Sequence, residues 1–87
     1  MNKEVLHNKA AVLYDLNMLS ESKAMYNKIT SINPDFAMAY YGLGVIAEKE
    51  KNYQESINQY NKFISRTENQ SLKTTIQRRI SLLKSRI

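Results

Sequence analysis

Residues 37–63, AMAYYGLGVIAEKEKNYQESINQYNKF, decide the fold. Tyr40, Leu43, Gly44 and Ala47 recur there at spacings of three and four, and so share one face of a helix. After a polar break over 48–52 a second pattern opens with Tyr53, Ser56, Ile57, Tyr60, Phe63 and Ile64. Both halves read as amphipathic helices. Gly44 carries further information, because a glycine inside a helix costs roughly 1 kcal/mol relative to alanine. That cost is tolerated where a second helix comes so close that a side chain would clash. The segment therefore predicts a helix hairpin packed tightly at Gly44.

The same pattern stands 34 residues upstream. Glu21-Ser22 aligns with Glu55-Ser56, Tyr26 with Tyr60, and Asn27-Lys28 with Asn61-Lys62, while Leu6 falls opposite Tyr40 and Ala10 opposite Gly44. Self-similarity at a period of this size marks an array whose unit is one helix hairpin. Its residues are similar to those of the tetratricopeptide repeat family, whose signature runs aromatic, Leu-Gly, Ala, aromatic and a closing Pro. The second repeat reads Tyr40-x-x-Leu43-Gly44-x-x-Ala47 and then Ser56-x-x-x-Tyr60. The first reads Leu6-x-x-Lys9-Ala10-x-x-Leu13 and then Ser22-x-x-x-Tyr26, closing on Pro34. Lys9 departs from the family's Leu, and Glu68 stands where the second closing Pro belongs, so a different exit into the last helix is expected there.

The expected architecture is all-α: an alpha-alpha superhelix of two hairpins and a fifth helix, right-handed and forming one structural domain. Repeat 1 is expected over residues 1–34, repeat 2 over 35–70 and a basic amphipathic capping helix over 71–87. The apolar periodicity places helices at about 3–16, 20–32, 36–50, 53–66 and 69–86. Leu6, Ala10 and Leu13 form the stripe of the first, which Val5, Val12 and Leu16 are expected to widen. Ala24, Met25, Ile29 and Ile32 supply the second. Leu72, Ile76, Ile80, Leu83 and Ile87 line the fifth. Asn17 is expected to end the first helix in the left-handed conformation, and Lys51 or Asn52 the third.

Composition narrows the function. Eighty-seven residues form one small domain near the size at which a single core is marginal. Arrays of this kind usually need about three units, so the chain is read either as a piece of a longer array or as self-associating. With no cysteine, disulfides and thiolate metal sites are excluded, which suits a reducing, cytoplasmic setting. Residues 1–9 are polar and unlike a signal peptide. Residues 1–70 hold eight basic and eight acidic side chains, so the net charge of +5 resides in Lys73, Arg78, Arg79, Lys84 and Arg86.

Catalysis finds no support. His7 has Glu4 one turn away but no patterned carboxylate pair, and reads as a surface histidine. Gly42 and Gly44 lie within a helix, without the strand that precedes a phosphate-binding loop. No catalytic residue, cofactor or metal is expected. The family resemblance instead implies a concave groove that binds a protein or peptide, as in a scaffold or regulatory assembly. Its positions would present His7, Asn8, Ala11, Tyr14, Met38, Tyr41, Val45, Lys49 and Arg79, with Glu4, Asp15, Gly42, Glu48, Thr75 and Ile76 beside them. Tyr41 either contacts a partner or packs on Tyr14 or the fifth helix. Relatives that grip a terminal carboxylate use Lys and Asn where this chain has His7, Ala11 and Gly42, and cations where it has Leu72 and Ile76. That clamp is absent.

The fifth helix has three readings. Its cations would draw an anionic partner, although it has no aromatic residue to stack on bases or to anchor in a membrane, so nucleic acid and membrane are both disfavoured. It would serve as a soluble cap. Or Leu83 and Ile87 would pair it with another copy, making the chain a self-associating module through this helix or the exposed first helix.

Overall fold

A computed structural model describes the backbone of residues 3–87 and the side chains of residues 4–87. Met1 and Asn2, which begin the expected first repeat and the polar leading segment, lie outside the described residues. Five helices follow in order: α1 (Lys3–Asp15), α2 (Leu19–Ile32), α3 (Ala37–Lys49), α4 (Tyr53–Arg66) and α5 (Gln70–Lys84). The described residues contain no strand. Consecutive helices pack on one another, α1 also touches α3, and the body measures 37 × 27 × 19 Å.

The 34-residue period is written into the backbone. Each hairpin turn is a Schellman motif, in which one residue takes a left-handed angle so that the last carbonyls find donors. Asn17 has φ 62° and Lys51 φ 63°. Met18 N–H donates to Leu13 O at 2.8 Å and Asn17 N–H to Tyr14 O at 2.9 Å. One repeat later Asn52 N–H donates to Ala47 O at 2.9 Å and Lys51 N–H to Glu48 O at 3.0 Å. Lys51, not Asn52, therefore takes the strained angle. Asn52 instead caps α4, its side chain accepting from Glu55 N–H at 3.4 Å.

The helices of each hairpin are joined by a buried serine. Ser22 Oγ donates to Ala10 O at 2.7 Å, and Ser56 Oγ to Gly44 O at 2.8 Å. Both serines are fully buried, where a hydroxyl without a partner would be costly. Gly44 then explains itself: a Cβ there would lie 3.1 Å from Cγ of Tyr60 and nearer still to two other atoms of that ring. The close approach predicted from this glycine is present. The connection after α4 keeps one side-chain bond of the connection after α2. Asn69 N–H donates to Thr67 Oγ1 at 3.1 Å, as Asp35 N–H donates to Asn33 Oδ1 at 3.3 Å. The exits nevertheless differ, as the missing proline predicts: Phe36 N–H donates to Asn33 O at 3.1 Å to close the Pro34 turn, a bond not repeated after α4, and Thr67 has φ −80° and ψ 144° where Asn33 has φ −138° and ψ 88°.

The core joins Leu6 and Ala10 of α1 to Tyr26 and Ile29 of α2, to Tyr40, Leu43 and Ile46 of α3, and to Ile57, Tyr60 and Phe63 of α4. Ile76, Ile80 and Leu83 complete it from α5. Several apolar residues behave otherwise than their spacing predicted. Leu13 is only half-buried and Ala24 is exposed. Val5, Val12 and Leu16 are 53%, 57% and 64% exposed, and Ile32 is exposed as well. They do not widen the buried stripe, because α2 and α3 approach α1 from other sides. Ile87 lies beyond the end of α5 and is exposed, so it leaves the α5 stripe, while Leu83 is buried within the chain and unavailable for pairing.

Candidate functional site

α1, α3 and α5 line two adjoining hollows that share Tyr14, Tyr41 and Val45. The larger, about 650 Å³, opens between α3 and α5 and adds Glu48, Lys49, Tyr60, Arg78 and Arg79 to those three. The smaller, about 280 Å³, lies between α1 and α3 and adds His7, Ala11, Asp15, Tyr26 and Met38. Residues separated by more than sixty positions in sequence thus meet on one concave face. Eight of the nine positions named for the groove line one or both hollows; Asn8 is exposed and lines neither, and so does Glu4.

Individual side chains depart from expectation. His7 is half-buried rather than a surface residue, its ring edge-on to Tyr26 at 5.8 Å and to Phe36 at 5.7 Å between centroids. Its Nδ1 is buried without a hydrogen-bond partner. Gly42 borders the smaller hollow, as its position implies, but is buried there: a Cβ would meet the tip of the Tyr26 ring, with Cε1 at 2.6 Å. Tyr41 makes its ring contacts with α4. Its ring lies 5.4 Å from that of Phe63 and 6.2 Å from that of Tyr60, leaving it half-buried. The groove floor is therefore aromatic and held from below by α4.

Charge is organised across the groove. Glu48 of α3 accepts from Arg79 of α5, with Nε to Oε1 at 3.0 Å and a second bond from Nη2 to Oε2, and from the Tyr60 hydroxyl at 3.1 Å. Partial burial pushes the Glu48 carboxyl up, but hydrogen bonds from Arg79 and Tyr60 and the charges of Arg79 and Arg86 outweigh it and hold the group below its ordinary value. Arg79 is correspondingly raised by its bond to Glu48. Burial, and then the neighbouring Glu48 charge, push the Tyr60 phenol up, so it stays a donor at all physiological pH. Lys49 lies over the Tyr14 ring, 5.0 Å from its centroid.

The five cations of residues 71–87 do not form one basic face. Arg78 and Arg79 turn into the groove, and Arg86 lies over the Tyr53 ring at 5.6 Å. Lys73 is half-buried and Lys84 exposed at the end of α5. Sequence reasoning missed Tyr60, read only as a repeat position, and Leu82, which also borders the larger hollow. Helical periodicity gives α5 a face, but not the register in which that face meets α3. Among the described residues no group of three or more His, Cys, Asp or Glu side chains could hold a metal, and no helix is long and apolar enough to cross a membrane.

Two hairpins of period 34, each sealed by a buried serine and followed by a further helix over a concave face, define an all-α hairpin solenoid. The sequence model of the tetratricopeptide repeat matches residues 3–36 and 37–70, and the chain belongs to that family. Families of this kind generally mediate protein–protein contacts and are typically non-catalytic. The chain is also similar to a protein of Dictyostelium discoideum, "DnaJ homolog subfamily C member 7 homolog", with 31% identity over 62 residues. That match covers 71% of this chain but 12% of the relative, so the chain spans a small part of that protein's length. No solved structure gives a significant match.

Proposed function

We propose that the chain is a non-catalytic interaction module that holds a peptide or protein segment in the concave groove of α1, α3 and α5, as part of a scaffold or regulatory assembly in the cytoplasm. The observation that carries this reading is the joined pair of hollows, with Tyr14, Tyr41 and Val45 at their common centre. Half-buried tyrosines supply contact area at low entropic cost and are frequent anchors in interfaces. Val45→Arg would fill the junction of the two hollows while leaving the buried core residues in place. Affinity capture from the source cell's lysate should retain a partner with the wild type and lose it with Val45→Arg. Equal retention by both would remove the groove from the account.

A second reading is self-association through the outer side of α1. Val5 and Val12 stand one repeat before Ala39 and Ile46, which are 0% and 1% exposed. The positions that seal α3 into the array are thus open in α1. Sedimentation of the wild type across a concentration series tests it, and a monomer throughout would exclude it.

A further inference from the structure

The groove between α3 and α5 is lined by three cations, Lys49, Arg78 and Arg79, and by one carboxylate, Glu48. Glu48 is already taken up by Arg79 and Tyr60. Among the described residues Lys49 is engaged only with the face of Tyr14, and Arg78 has no acidic partner. Two positive charges therefore remain over, beside an aromatic and aliphatic floor. We infer that this groove selects an acidic segment of a partner protein, with a ligand carboxylate seated among Lys49, Arg78 and Arg79 and a neighbouring apolar side chain on Tyr41 and Val45. The inference deepens the groove reading and rests on it.

The chemistry of the groove favours a peptide over a single-stranded nucleic acid, the other anionic ligand for a basic and aromatic surface. Base stacking needs an open ring face. Here Lys49 covers one face of Tyr14, Tyr41 is packed against Phe63 and Tyr60, and Tyr60 is 2% exposed. A carboxylate, by contrast, finds donors of the kind that Glu48 already uses. The Glu48–Arg79 bridge shows how such a group is held: one guanidinium edge gives two hydrogen bonds and a phenol a third. Glu48 also sets the selectivity. It removes one positive charge from the groove, so its own charge opposes an incoming acid.

The test is selection from a library of random linear peptides against the intact chain, followed by fluorescence anisotropy of a selected peptide. Groove-dependent peptides, recognised by their loss with Val45→Arg, should be enriched in Asp and Glu. Replacing those acids by Gln or Asn should weaken binding by roughly tenfold or more, as should Arg78→Glu, and high salt should weaken it further. Glu48→Gln should tighten an acidic peptide by about threefold to tenfold, a gain larger than that of its neutral counterpart. Groove-dependent peptides without acidic enrichment would overturn the inference while the groove reading stands. Peptides indifferent to Val45→Arg would overturn both. A single-stranded oligothymidylate that competes at the groove more tightly than the selected peptides would replace the acidic segment with nucleic acid.

Discussion

Gly42 and Gly44 stand two residues apart on α3 and face different tyrosines. Gly44 meets the Tyr60 ring near its root, where Cγ is fixed to α4 and the hydroxyl is held by Glu48. Gly42 meets the tip of the Tyr26 ring, the end farthest from its attachment to α2, where a small shift of the ring relieves more of the contact than at Gly44. Alanine gains about 1 kcal/mol of helix propensity at either position. At Gly44 the clash outweighs that gain, and Gly44→Ala should destabilise by about 1–3 kcal/mol in chemical denaturation. Gly42→Ala should stay within about 1 kcal/mol of the wild type. A larger loss for Gly42→Ala would reverse the assignment of which tyrosine is rigid. Gly44 could be read from sequence, because its motif neighbours and its place in the repeat both marked a close approach within one hairpin. Gly42 could not, since its neighbour Tyr26 belongs to the preceding hairpin and only the stacking of repeats brings the two together.

The hairpin turns show what a repeat can and cannot fix at the level of elements. Asn17 was legible as a left-handed stop because asparagine tolerates that angle. Lys51 holds the same angle without such help. A non-glycine residue there is strained by about 1 kcal/mol or more. Lys51→Gly should therefore stabilise the chain by about 0.5–1 kcal/mol, measured as a raised denaturation midpoint with unchanged slope. A destabilised variant would mean that the lysine side chain does more than close the turn. Helix order and type followed from the apolar periodicity, and the ends differ from expectation by at most two residues. The burial of α1 did not follow. Val5, Val12 and Leu16 fit an apolar stripe in sequence, yet a stripe is buried only if another element covers it, and periodicity within one helix says nothing about which neighbours exist. Should that open side pair two copies, Val12→Glu would abolish any dimer seen by sedimentation. A dimer that survives the change would use another surface.

Across the whole molecule, one charged bridge links α3 to α5 over the groove. The Glu48–Arg79 pair joins residues 31 apart in sequence, a distance at which no helical spacing predicts a contact. The basic excess of residues 71–87 was visible from sequence, but its division between groove, Tyr53 and solvent depended on how α5 docks. Because the folded chain holds the Glu48 carboxyl below its ordinary value of 4.5, the bridge stabilises the fold above that value and is lost as pH falls through the depressed one. Wild type should exceed Glu48→Gln in stability by about 0.2–1 kcal/mol at neutral pH, as partly exposed pairs do. The gap should close on acidification below pH 4.5 and be constant above it. A gap independent of pH would show that the carboxylate charge contributes nothing. The central claim is that the concave face carries recognition. It is tested most directly by amide chemical shifts of the isotope-labelled chain on titration with a partner or selected peptide. The account predicts shifts centred on Tyr14, Tyr41, Val45 and Arg79, with Val5 and Val12 undisturbed. Shifts confined to the outer side of α1 would contradict it.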